Sequence, residues 1–271
     1  MDVYKEQNSG LVSLNQFEGI DGHLASLRYA GIIQKALMPG PDLLKTLFSD
    51  HFVLFLPRDI VSGDFYYVMR HRQYLCVAAG DCTGHGVPGA LMSILGISFL
   101  NEILQVRTNL KSNRVLNLMR EKVMKSLHQK GEKAETKDSI DIGLCIIDTS
   151  TGLFQFSGAN RPLLQVRGSE VIEYKPDKMT IGVAPLREMP FTNQIIENRP
   201  GDRFYLFSDG FSDQFGELTD KKFKHKQLKL VISSLANKPM SKQGELLRAT
   251  FEDWKGNTEQ IDDVLVFGFQ L

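Results

Sequence analysis

An α+β fold is predicted by three features of the chain. Apolar strand-like runs stop or start on aspartates beside glycines, at Asp64, Asp81, Asp209 and Asp262–Asp263. Short strand patterns follow one another over 140–174 with turn residues between them, as in an antiparallel meander. Two helix-length apolar patterns, over 88–106 and about 113–129, lie between the first strands and that meander, placed to cover one face of a sheet.

Composition narrows the function classes. The 271 residues suit one large domain or two small ones. Lys+Arg and Asp+Glu are 32 each, so no global field draws the protein to nucleic acid or an anionic membrane. Cys76, Cys82 and Cys145 are scattered, odd in number and without CxxC spacing, which reads as reduced core thiols in a cytoplasmic protein. The longest apolar run, 90–100, is too short to span a bilayer, and the N-terminus has no signal-peptide pattern. No membrane insertion is expected.

In chain order, residues 1–25 are a polar leader, and a helix from 26 carries Leu27, Ala30, Ile33 and Leu37 on one side until Pro39-Gly40-Pro41 ends it. The expected division is therefore a leader and linker-like helix over 1–41 and one domain over 42–271. The helix suits either a dimer contact or packing on its own domain. Strands are expected at 52–56, 64–69 and 73–79. A hairpin centred near His71 puts residue 64 opposite residue 79, so Asp64 and Asp81 emerge at one end of the sheet. GDCTGHGVPGA (80–90) then compresses a strand end, an acidic turn and a helix start, with Pro88 in the first helical turn.

A charged loop is expected over 131–139, strands at 140–147, 152–157, 162–166 and 171–174, an irregular segment over 176–190 and a strand at 191–197. Strand 203–207 runs into Ser208-Asp209-Gly210, and strand 264–269 starts just after Asp262-Asp263, so antiparallel pairing brings Asp209 to one of those two acids. Helices are expected at 221–235 and 241–254, the basic stretch 221–229 being a solvated face.

Carboxylates at two sheet ends beside glycine turns describe an all-oxygen site for Mg²⁺ or Mn²⁺. Cys82 and His85 alone are too few for zinc. Acids this close stay ionised only beside cations, which points to two metals.

The motifs SGDF (62–65), GDCTGHGVPGALMS (80–93), FSGANRPLL (156–164), SDG (208–210) and DDVLV (262–266) resemble, in order, those of the SpoIIE-like branch of the PPM (type 2C) protein phosphatases. The resemblance covers about residues 50–271. It implies two stacked antiparallel sheets flanked by helices, an α-β-β-α sandwich with metals at one end. It implies that Asp64, Asp81, the Cys82 backbone carbonyl, Asp209 and Asp262 hold two Mn²⁺ or Mg²⁺ ions, with Asp263 the second choice at the last position and Asp138 an acid for a third, weaker metal. His85 is then either a proton donor to the leaving oxygen, a holder of water or a structural residue. The N-terminal phosphate-binding arginine of eukaryotic relatives has no clear counterpart, which leaves Arg58 and Arg161 as candidates. The implied reaction is hydrolysis of phosphoserine or phosphothreonine by a metal-bridging water, on a STAS-domain anti-sigma-factor antagonist in a partner-switching pathway. An upstream sensor, and a homodimer through helices near 26–38 and 87–129, are implied partners, and the chain reads as either a stand-alone enzyme or an excised domain. The rivals are a silent phosphoprotein-binding module, disfavoured because all the metal acids are present, and another carboxylate-metal enzyme such as a nucleotidyl cyclase, disfavoured by the lack of a nucleotide-binding glycine loop.

Overall fold

Side chains alternate along the strands, and the alternation here feeds three separate cores. In the computed structural model, which describes residues 22–129, 136–183 and 189–271, the strands in chain order are β1 (Asp50–Leu56), β2 (Phe65–His71), β3 (Tyr74–Cys82), β4 (Ile140–Asp148), β5 (Phe154–Ala159), β6 (Leu163–Arg167), β7 (Glu170–Tyr174), β8 (Gln194–Ile196), β9 (Arg203–Phe207) and β10 (Val264–Gln270). They form two five-stranded sheets, in the orders β1-β10-β9-β6-β7 and β2-β3-β4-β5-β8. The strand ladders within both sheets are antiparallel.

Between the sheets lie Val68, Val77, Cys145 and Phe156 from one and Phe204, Leu206, Leu265 and Phe267 from the other. The intervening residues of β3 and β4, Cys76, Ala78, Ile142 and Leu144, point outward, where α3 (Gly86–Val106) and α4 (Ser112–Ser126) cover them with Leu100, Leu104, Leu116 and Met119. On the opposite outer face Leu54, Tyr205 and Val266 meet Leu228 and Ile232 of α6 (His225–Ser234) and Leu247 and Phe251 of α7 (Met240–Lys255). The predicted four-layer sandwich is therefore present. Burial on both faces explains why β3 and β4 read as continuous apolar runs. All three cysteines are free and buried.

The differences from expectation are local. The first hairpin pairs His71 with Tyr74, so its turn is Arg72-Gln73, one residue later than the centre near His71; Arg72 takes the left-handed φ of 54° that a two-residue turn demands. Pro41 does not merely end α1 (Gly22–Leu37) but occupies the first turn of a further helix, α2 (Pro41–Leu47), where its missing N–H costs nothing. The strand expected over 191–197 shrinks to β8: Phe191 is buried under the Arg120 guanidinium of α4, 4.9 Å from its ring centre, and the Thr192 N–H donates to Asp177 rather than to a strand neighbour. The helix expected from 221 starts at His225, after Lys224 at φ 75°. The one-turn α5 (Gly210–Asp213) follows Asp209 directly. α3 reaches 21 residues, long and apolar enough by length and composition to cross a bilayer, but Leu100, Ile103 and Leu104 are buried in the core. α1 starts at Gly22, four residues before the helix expected from 26, so the last part of the expected leader is helical. The leader up to residue 21, residue 130, residues 131–135 of the expected loop and residues 184–188 of the expected irregular segment lie outside the described residues.

Candidate metal centre

Strand register assembles the acids. Phe65 faces Gly80 in the β2–β3 ladder, so one step further places Asp64 opposite Asp81. On its other side β3 pairs Asp81 with Asp141 of β4. In the other sheet the Ser208 N–H donates to the Leu265 carbonyl at 3.0 Å, which brings Asp209, at the end of β9, beside Asp262 and Asp263 at the start of β10. The Ser208 hydroxyl then donates to Asp64 Oδ2 at 2.5 Å and joins the two sheet ends.

The electrostatics are those of crowded acids. Asp64 is 2% exposed; burial, then the Asp81 charge, push its pKa well above the usual carboxylate value, against the Ser208 hydrogen bond. Burial also raises Asp81, although the Arg161 guanidinium opposes the rise. Asp141 and Asp262 are raised as well, first by burial. Arg161 Nη2 lies 2.8 Å from Asp81 Oδ2, 2.7 Å from Asp209 Oδ2 and 3.4 Å from Asp141 Oδ2. No group of three His, Cys, Asp or Glu side chains among the described residues converges into a ready ligand cage, and this guanidinium stands among the acids.

Asp262 and Asp263 differ in what they bind. The carboxylate of Asp263, 2% exposed, accepts from the Arg58 N–H at 2.8 Å and the Gly63 N–H at 2.7 Å, so it braces the loop that presents Asp64. Asp262 keeps a carboxylate oxygen 2.8 Å from the Asp263 N–H, is only partly buried and lies in the field of Asp209 and His85. Gly84 and Gly86 bend the loop after Asp81 with φ of 80° and 61°. A Cβ on Gly63 would stand 2.6 Å from the Gly84 carbonyl oxygen and 3.2 Å from that of Cys82. Gly63→Ala is therefore expected to lose about 1–3 kcal/mol through overpacking, read as a lower urea midpoint; an unchanged midpoint would show that the two loops are not locked together.

Of the other expected residues, Cys82 buries its thiol, which burial raises well above its ordinary pKa, and so only its backbone is free for a ligand role. His85 is exposed, and its Nδ1 is 2.8 Å from Asp59 Oδ2. Asp138 precedes β4, where its carbonyl oxygen accepts from Gln129. Arg58 sends its guanidinium to the Ile261 carbonyl, while Arg161 reaches the acids. Asp59, Asp141 and Ser208 were not singled out by the sequence. The signal for Asp141 was available, since it too is an acid at the start of an apolar strand.

The donor chemistry fits divalent cations. The acidic side chains gathered at the two sheet ends are all aspartates, and Arg161 is the cation paired with three of them, while burial and mutual repulsion still raise Asp64 and Asp81.

A family model described as stage II sporulation protein E (SpoIIE) matches residues 71–271. The SiaA-PP2C domain of Pseudomonas aeruginosa is 31% identical, with a TM-score of 0.81 over 91% of this chain and 96% of that one. The chain belongs to the SpoIIE family. This SpoIIE-family chain is accordingly a PP2C-type, metal-dependent protein serine/threonine phosphatase domain. Its fold also recurs in the PP2C phosphatase domain, with a fragment of the regulatory domain, of SpoIIE from Bacillus subtilis, at 19% identity and a TM-score of 0.66 over 82% of this chain and 63% of that one. RsbX in complex with magnesium shares the fold at 13% identity, with a TM-score of 0.54 over 81% and 94%. No curated protein sequence matches the chain.

Proposed function

We propose that the acids at the joined sheet ends hold two divalent ions, Mn²⁺ or Mg²⁺, and that the centre hydrolyses phosphoserine or phosphothreonine on a partner protein. One observation supports the reading: Asp64, Asp81, Asp209 and Asp262 lie together at the joined ends of both sheets, within one another's electrostatic reach. The ligands would be these four carboxylates and the Cys82 carbonyl. When bound, the ions supply an activated water and neutralise charge on the phosphoryl oxygens.

The protein's own groups do the rest. Asp263 fixes the loop that carries Asp64, and Ser208 orients the Asp64 carboxylate. His85, steadied through Nδ1 on Asp59, offers Nε2 to protonate the leaving serine oxygen. For a third, weaker ion Asp141 is better placed than Asp138, because it shares Arg161 with Asp81 and Asp209.

The substrate we infer is a phosphorylated STAS-domain antagonist in a cytoplasmic partner-switching pathway. Its support is the motif resemblance, and fold neighbours include the RsbU and RsbW domains of one Mycobacterium tuberculosis protein. Exposed Ile33 and Leu37 on α1 and Leu91 on α3 favour a homodimer through these helices, with α1 as the link to an upstream sensor. The test is phosphate release from a phosphorylated STAS domain and from an unrelated phosphoserine protein. Turnover is expected only with Mn²⁺ or Mg²⁺ and faster on the STAS domain. Turnover that persists in chelator would sink the metal centre, and equal rates would sink the STAS substrate.

A further inference from the structure

The turn between β5 and β6 sends a cation into the acids. Asn160 takes a left-handed φ of 55°, which asparagine tolerates, and its amide donates to Asp141 Oδ1 at 2.9 Å. The next residue, Arg161, has a side chain only 14% exposed. Its contacts are unusual for a structural arginine. A guanidinium fixed for its shape presents two nitrogens to one carboxylate as a fork. Here the single Nη2, with two hydrogens to give, is shared by three carboxylates at 2.7, 2.8 and 3.4 Å. Meanwhile Arg161 Nε is buried and has no acceptor. The side chain is placed by charge and leaves part of its hydrogen-bonding capacity unused.

Two of those three carboxylates, Asp81 and Asp209, are metal-ligand candidates. A guanidinium and a divalent ion cannot share them cheaply, because like charges a few ångström apart in a buried site repel strongly. Next to the acids is a cleft of about 330 Å³ lined by Arg161 itself, Asn160, Ser212, His225, Glu173 and Asp209, so that Asp209 stands on its edge, Asp81 and Asp141 are not part of its lining, and Glu173 offers a carboxylate on its wall. It gives the side chain somewhere to go.

We propose that Arg161 is an internal competitor of the divalent ion: it holds Asp81, Asp141 and Asp209 together without metal, and it leaves Asp81 and Asp209 for the adjoining cleft when metal binds. The inference rests on the metal centre proposed above and adds that the chain itself sets how tightly that centre binds. The apparent affinity equals the intrinsic one reduced by the fraction of molecules in which the guanidinium has already moved away.

Calorimetric titration of metal-stripped protein with Mn²⁺ tests this without reference to turnover. Arg161→Gln, which keeps a polar side chain but removes the charge, is expected to bind Mn²⁺ at least about tenfold more tightly than wild type. Arg161→Lys retains the competing charge and is expected to stay near wild type. Equal or weaker binding by Arg161→Gln overturns the inference, since a residue that merely aligned the acids would weaken the site when removed. The second measurement needs no variant: in a structure of the wild type with Mg²⁺ bound, Arg161 is expected in the cleft. A guanidinium still bonded to both Asp81 and Asp209 there overturns the competition even if Arg161→Gln fails to fold. Wild type that binds no Mn²⁺ would overturn the metal centre and this inference with it, which separates the two failures.

Discussion

Asp64→Asn is expected to cut metal-dependent turnover by roughly 10³-fold or more while leaving the metal-free fold at neutral pH at least as stable as wild type. The two effects have one cause. Asp64 is buried, faces Asp81 and has a neutral donor in Ser208. Its pKa is raised first by burial and then by that neighbour. The sign follows from linkage. Between the ordinary unfolded carboxylate value and the raised folded one, the folded state binds more protons than the unfolded state, so metal-free stability falls as pH rises through that window. Above it the wild type carries the full cost of a buried, repelled charge, and asparagine carries none. Bound metal removes that cost and adds RT ln(1 + [M]/Kd), about 2.7 kcal/mol at a hundredfold excess over Kd. Thermal melts across about pH 5–8, in chelator and in Mn²⁺, check this. Wild type should lose stability towards high pH only in chelator. Asp64→Asn should show a smaller loss, the remainder coming from Asp81, Asp141 and Asp262, whose pKa values burial also raises, and little of the gain from Mn²⁺. A variant that melts several degrees below wild type in chelator at neutral pH would make Asp64 a satisfied structural acid.

The two sheet ends were legible because each acid sits at the boundary of an apolar run, a local signal. Asp81 in GDCTG and Asp209 in SDG announce themselves this way. Register was less legible. The hairpin turn falls at Arg72-Gln73 because Arg72 accepts a left-handed φ, which a pattern of apolar residues does not encode, and the shift puts Asp64 directly opposite Asp81. Asp141 was missed because its partnership with Asp81 depends on β3 pairing with β4, which lies beyond both α3 and α4 in the chain. Arg161 could be guessed as a residue able to reach the site, but a three-carboxylate contact needs the β5–β6 turn to be folded against both sheets. α2 was hidden because Pro39-Gly40-Pro41 reads as a stop, and the same proline is also a good start.

The pair Asp262-Asp263 is where sequence reasoning could only rank two neighbours, and there the structure shows what each carboxylate already binds: two loop N–H groups for Asp263 and one N–H for Asp262. Asp263→Ala would strip the acceptor from the Arg58 and Gly63 N–H groups in a buried loop. The loss of two hydrogen bonds to a charged group is expected to cost about 3–5 kcal/mol, with turnover falling because Asp64 is no longer held. Asp262→Ala loses one contact, to the Asp263 N–H, from a partly exposed carboxylate, so the expected stability cost is about 1 kcal/mol. Its turnover should nevertheless drop by roughly 10³-fold even at saturating Mn²⁺. Urea denaturation and initial rates on the same two preparations give the comparison. The decisive outcome is the crossing of the two readouts: Asp262→Ala stable and inactive, Asp263→Ala unstable, with Asp263→Asn recovering part of its stability by restoring one acceptor. If Asp263→Ala were as stable as wild type and inactive, the carboxylate that braces the loop would be the ligand, and Asp262 would revert to a residue that caps the start of β10.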